Sequence, residues 1–226
     1  APSPWVEESG ARVNAPLPDA PAIVIVAVKP QTMAEALPTL AGFGGGATLF
    51  ISVAAGTSLA TYAQMLGPAT PVVRAMPNTP AAIGQGISAL IGSHAATEAH
   101  LKAAEGLLSA VGQTVRLANE TQMDAVTGLS GSGPAYVFHM IECLAAAGQA
   151  HGLPPEMSMT LAKATVAGAG ALAMTGEATP EELRVNVTSP NGTTQAGLEV
   201  LMDALPALMR ATVRAATERS KELSRG

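Results

Sequence analysis

Between residues 22 and 117 the chain repeats one unit: an apolar run rich in β-branched residues, a loop of small residues, and a stretch with helical patterning. After Leu117 the runs stop. That single switch constrains the fold more than any other feature, because alternating strands and helices give a parallel sheet covered by helices, whereas an uninterrupted series of helical stretches gives a bundle. The prediction is therefore an α/β region over residues 1–117 followed by an all-helical region over residues 118–226.

The first run, AIVIVAV at residues 22–28, has no polar alternation and reads as a parallel strand buried on both faces. It ends at Lys29-Pro30 and leads into a helix over 31–40 that Pro38 is expected to interrupt. Residues 48–53 (TLFISV) and 71–75 (PVVRA) are the next strands, separated by a helix over 58–66 that stops at Gly67-Pro68. GISALIG at 86–92 and QTVRL at 113–117 complete the sheet, flanking a helix near 97–111 with Gly112 as its C-terminal cap. In such a sheet ligands bind at the carboxyl ends of the strands. Those ends are Ala27-Val28-Lys29, Ala54-Ala55-Gly56 and Met76-Pro77-Asn78-Thr79-Pro80.

A dinucleotide-binding sheet normally carries a G-x-G-x-x-G turn after its first strand. Residues 1–21 hold five prolines and no such turn, and GFGGG at 42–46 precedes a strand instead of following one. The expectation is that about 30 to 50 further residues, with a strand, a Gly-rich turn and a helix, precede this sequence in the natural protein.

In the second region Asn119 and Gln122 have capping-box spacing, and Thr179-Pro180-Glu181-Glu182 is a cleaner helix start of the same kind. DAVTGLSGSGPAY at 124–136 reads as a loop before a helix. Gly131 and Gly133 would let the backbone turn through positive φ or approach a ligand, and Pro134 suits a first helical position. The helix over 154–175 carries Lys163 as its only basic residue, so it is apolar nearly all round and must be buried on most sides. A region of about a hundred residues rarely achieves that alone, which points to burial between copies of the chain. The final helix, 194–223, is expected to break before Pro206.

Composition excludes several roles. Only 13% of the 226 residues are charged and the formal net charge is −5, so a phosphate-backbone partner finds no basic patch. The single cysteine, Cys143, permits no intrachain disulfide, suits a reducing compartment and reads as a small core residue. No apolar run approaches the ~18 residues that span a bilayer; a soluble, cytoplasmic protein is expected. His94 and His100 share no spacing with other ligand types, and no metal role is assigned to them.

Three motifs stand in order: MPNTP at 76–80, DAVTGLSGSGPAY at 124–136, and TSPNGTT at 188–194. Together they resemble the pyrroline-5-carboxylate reductase family. The resemblance implies a Rossmann-like domain followed by a helical substrate-binding and dimerisation domain, with a dimer or higher homo-oligomer. It implies NADPH or NADH as cofactor, with NADPH favoured, lying along Ala27, Val28, Lys29, Ala54, Ala55, Asn78 and Thr79. It also implies that Ser189, Asn191, Gly192 and Thr193 hold pyrroline-5-carboxylate while Thr194 hydrogen-bonds the imine nitrogen. Most members have Gly where this chain has Asn191. Asn tolerates a left-handed backbone best after Gly, so the loop shape is expected to survive. Two other readings compete: a related β-hydroxy-acid dehydrogenase, which would need a Lys or His base that Lys163 does not match by motif, and a non-catalytic oligomerising protein with a decayed nucleotide fold.

Overall fold

The structure, a computed structural model, describes residue 6 and residues 8–225. Strands β1 (Ile23–Val26), β2 (Leu49–Ser52), β3 (Val72–Met76), β4 (Gly86–Gly92) and β5 (Gly112–Arg116) form one sheet in sequence order. β1, β2 and β3 are parallel, with Val26 beside Ser52 and Ser52 beside Arg74. At the far end of β4, the Ser93 N–H donates to the Val72 carbonyl at the start of β3 (2.7 Å), so β4 runs back along its neighbour. Helices α1 (Met33–Leu40), α2 (Leu59–Leu66) and α3 (Glu98–Leu108) connect the strands. The α/β expectation holds.

The core lies between the sheet and α1 and α2. Phe50, Leu37 and Tyr62 are wholly shielded, with Val26, Met33 and Leu66 packed around them. β1 departs from expectation: Ile23 is 37% and Ile25 58% exposed. Ile23 and Ile25 share one face of β1, and among the described residues nothing covers that face, so the unbroken apolar run does not translate into burial on both sides. Pro38 does not interrupt α1, which runs on to Leu40. Only one intrahelical bond, to the Ala34 carbonyl, is forfeited by its missing N–H.

The chain beyond β5 is helical throughout: α4 (Met123–Val126), α5 (Gly133–Ala150), α6 (Pro155–Met174), α7 (Pro180–Asn186) and α8 (Thr193–Arg225). The described chain divides into two compact units, residues up to Ala75 with Leu90–Leu107, and Met76–Ala89 with Leu108 onward. In the second unit, the back half of α8 packs on α4 and the turn that follows it. Ser220 Oγ donates to Asp124 Oδ1 (2.7 Å), and a Cβ on Gly128 would come within 2.5 Å of Thr217 Oγ1.

Three expectations are corrected here. Residues 127–131 form a π-helical turn, not an open loop, and neither Gly131 nor Gly133 has positive φ. Gly131 lies against the end of the Met76 side chain, where a Cβ would come 2.7 Å from Cε and be met by a shift of that flexible side chain. α8 passes through Pro206 without a break, because alanine, leucine and methionine on either side are strong helix formers. Cys143 is exposed on α5, with its sulfur 3.6 Å from His139 Nε2; an apolar helical pattern marks the faces that need cover, but this face is not covered within one chain.

Candidate functional site

In the first unit, the carboxyl ends of β1 and β2 lie side by side, joined by the Val53 N–H to the Val26 carbonyl (3.0 Å). Ala27, Val28 and Lys29 therefore neighbour Ala54 and Ala55 on one sheet edge. Lys29 is exposed and its amine forms no ion pair among the described residues, while Ala54 is buried and Gly56 turns the chain at φ +79°. Sequence reasoning missed what holds this end in place. Ser52 Oγ lies 2.5 Å from Tyr62 Oη and accepts from the Ala54 N–H (3.2 Å), so a buried hydroxyl pair fixes the β2 loop. Burial pushes the Tyr62 hydroxyl above its ordinary value, partly offset by hydrogen bonds with Ser52 and Thr57 and by the Arg74 charge. A serine inside an otherwise apolar strand was the available signal.

In the second unit, Asn78 bridges two segments. Its Nδ2 donates to the Ser130 carbonyl in the π-helical turn (3.2 Å), and its Oδ1 accepts from the Ile87 N–H (2.9 Å). One N–H and one lone pair of the carboxamide remain. Thr79 opens a short 3-10 turn beside it and is exposed. Asn78 is thus first a brace that ties the loop after β3 to the glycine-rich turn, with spare capacity for a ligand.

The loop before α8 is built around a left-handed residue. Asn191 has φ +59°, as expected for the residue standing where the family favours glycine. Its N–H donates to Gln195 Oε1 (2.8 Å), and Gln195 Nε2 donates in turn to Glu199 (3.0 Å). The Gly192 N–H is taken by the Ser189 carbonyl (3.1 Å), and a Cβ on Gly192 would collide with Ser189 Oγ. Gly192 therefore shapes the loop, and its own N–H is already committed. The first-turn donors left over are the N–H groups of Thr193, Thr194 and Gln195, for which a helix supplies no carbonyl. Both threonines are exposed. Gln195 was missed in the sequence, although its i+4 spacing from Asn191 was visible. No hydrogen bond among the described residues links this loop to Asn78.

The donor set fits a dinucleotide and an anionic substrate. An unpaired lysine at a strand end suits a phosphate, a partly free carboxamide suits an amide-bearing ring, and a helix N-terminus favours a carboxylate. Among the described residues no helix is long and apolar enough to cross a membrane, and no group of three or more His, Cys, Asp or Glu gathers as a metal site.

Comparison with known proteins bears on the whole chain. The family model described as pyrroline-5-carboxylate reductase dimerisation matches residues 120–223. The pyrroline-5-carboxylate reductase of Pseudomonas aeruginosa is 42% identical over 203 residues, covering 89% of this chain and 74% of that protein. That of Methanosarcina acetivorans is 44% identical over 90% of this chain and 75% of its own. Among solved structures, the Coxiella burnetii pyrroline-5-carboxylate reductase superposes with a TM-score of 0.87 at 36% identity, covering 90% of this chain and 76% of that one. The Plasmodium falciparum pyrroline carboxylate reductase, solved with NADP bound, does so at 0.80 and 29% identity, covering 90% and 77%. With identity of this order sustained over nine-tenths of the sequence and extending into both regions, this chain belongs to the pyrroline-5-carboxylate reductase family.

Proposed function

We propose that the protein reduces 1-pyrroline-5-carboxylate to L-proline with NADPH or NADH, the last step of proline biosynthesis, in the cytoplasm. Residues 1–117 serve as the dinucleotide-binding domain, and residues 118–226 bind substrate and hold the homo-oligomer together as a dimer or larger assembly. NADPH is favoured, in keeping with the NADP bound to the Plasmodium falciparum relative. When bound, the nicotinamide supplies a hydride to the C=N carbon of the cyclic imine, and the nitrogen takes up one proton.

The observation that carries this reading is the loop before α8, where Asn191 adopts the left-handed backbone and the helix opens with Thr193 and Thr194. The substrate carboxylate accepts from the free first-turn N–H groups, where the helix dipole adds to the attraction. Ser189, Asn191 and Gly192 set the loop's shape, and Thr193 contributes mainly its N–H. Thr194 Oγ1 hydrogen-bonds the imine nitrogen and orients it. A threonine hydroxyl is too weak an acid to protonate an imine outright, so Thr194 acts by holding the ring or relaying a proton from water. Lys29, Ala27 and Val28 with Ala54 and Ala55 line the dinucleotide, and Asn78 and Thr79 meet its nicotinamide end.

The test is steady-state oxidation of NAD(P)H by the full-length protein with pyrroline-5-carboxylate. Thr194→Ala is expected to lose about ten- to a thousandfold in rate, the scale of one catalytic hydrogen bond or proton relay, while Thr194→Ser keeps much of it. Unchanged turnover in Thr194→Ala removes that residue from the mechanism. No turnover in the unaltered protein removes the activity itself.

A further inference from the structure

The long helix α8 carries a charge pattern that its own chain does not use. Glu199, Asp203, Arg210 and Arg214 are all exposed. At 3.6 residues per turn they fall within about 60° of one another around the helix axis. Among the described residues neither Asp203, Arg210 nor Arg214 forms an ion pair, and Glu199 only accepts from Gln195. The face of α8 that packs within the chain, through Val213 and Thr217 to Ser220, borders this stripe on one side, with Thr217 on the same bearing as Glu199.

The charges are segregated by sign and mirrored in position. Glu199 and Arg214 lie equally far from the midpoint between Pro206 and Ala207, and so do Asp203 and Arg210. We infer that α8 docks antiparallel on α8 of a second copy, with the two-fold axis passing beside Pro206 and Ala207. An isologous pairing of this kind sets Glu199 against Arg214 of the partner subunit and Asp203 against Arg210 of the partner subunit, each twice by symmetry. A parallel pairing would set like charges together, so the pattern selects the antiparallel one. Small side chains at the centre, with Ala207 and Pro206 near the axis, let the helices approach closely, and Val200, 75% exposed, lies at the edge of the stripe. The surface falls within residues 120–223, the dimerisation region. This inference rests on the homo-oligomer proposed above and specifies which faces meet, and in what register.

Cross-linking tests the register without altering charge. In a Cys143→Ser background, Ala207→Cys lies beside its own copy and is expected to give a covalent dimer on mild oxidation. Ala215→Cys is expected to give none, because the paired sites would be about 26 Å apart at 1.5 Å per residue, well beyond disulfide reach. Charge reversal tests the chemistry by sedimentation of the full-length protein, with circular dichroism to show that each variant is folded. Reversing Arg210→Glu with Arg214→Glu is expected to weaken self-association at least about tenfold, the scale set by several facing like charges. Adding Glu199→Arg and Asp203→Arg is expected to restore it to within about threefold. A cross-link at position 215 and not 207, or a fourfold reversal no better than the twofold one, overturns the register while leaving the homo-oligomer standing. A monomeric unaltered protein at micromolar concentration overturns both.

Discussion

The two compact units use apolar side chains in opposite ways. Around β2 and β3, Phe50, Ile51, Val72 and Val73 are at most 1% exposed, and the sheet closes over them with its own helices. Along α5 and α6, Phe138, Leu144, Met157, Leu161 and Leu172 are each 46–58% exposed, while α6 buries only Ser158 and Ala162. The helices are no less apolar than the strands. A sheet with helices against it can close a core within one chain, whereas a helix that is apolar around most of its circumference needs neighbours on more sides than this chain provides. The packing predicts that the first unit is held by its own core and that the second gains its stability by association.

That contrast predicts two distinguishable failures. Phe50→Ala is expected to cost about 3–5 kcal/mol, the usual penalty for emptying an aromatic site in a packed core, and the loss should not depend on protein concentration. Ala167→Glu, on the uncharged stretch of α6, is expected to act through the assembly, because an unpaired charge enclosed between copies costs several kcal/mol. Its melting temperature should fall steeply on dilution, and sedimentation should show smaller species. Equal concentration dependence in the two variants would break the comparison.

Asn78 sharpens it, because this residue follows β3 of the sheet and its hydrogen bonds tie another strand, β4, to the π-helical turn. Asn78→Ala leaves the Ile87 N–H and the Ser130 carbonyl without their partner, at about 1–3 kcal/mol for each group that water cannot reach. Both groups are part-buried, so the lower end is expected in a denaturant melt. Hydrogen exchange should show the loss centred on the π-helical turn at Thr127–Gly131 and not on β2. If β2 loosens instead, Asn78 belongs energetically to the sheet.

What the sequence disclosed follows the same division. Strand and helix order, the left-handed Asn191 and both capping boxes were legible, because each depends on local backbone chemistry within a few residues. Burial was not. The run at Ile23–Val26 has the composition of an enclosed strand and leaves one face uncovered among the described residues, and Cys143 has the surroundings of a core residue and faces outward. Both depend on what lies alongside, which periodicity does not encode. The π-helical turn was hidden for a related reason. Gly128 looks like a loop former, yet it is small because Thr217 and the α8 backbone at Val213 come so close to it. For the site, the motif residues were found, but the braces Ser52, Tyr62 and Gln195 carry no motif and emerge only from the hydrogen bonds.

The smallest predicted effect compares two helix starts within the second unit. Both are capping boxes: the Gln122 side chain accepts from the Asn119 N–H (3.2 Å), and Glu182 accepts from the Thr179 N–H (2.7 Å). The first acceptor is an amide that does not titrate, and the second is a carboxylate. Hydrogen bonds from the Thr179 backbone, then from its hydroxyl, hold the Glu182 pKa below its ordinary value of 4.5. A carboxylate whose folded pKa is lowered adds stability that is fully present above the unfolded pKa and is lost as pH falls through the folded one. Acidification from neutrality should therefore leave the start of α7 intact until pH drops below the usual glutamate range, then fray it, while the start at Asn119 holds. Amide protection factors at Thr179 and Asn119 across that range measure the difference directly. In Glu182→Gln the Thr179 amide should be less protected at neutral pH and lose its pH dependence, so that the two boxes behave alike. If Thr179 in the unaltered protein shows no added acid sensitivity over Asn119, the carboxylate is not what holds the start of α7.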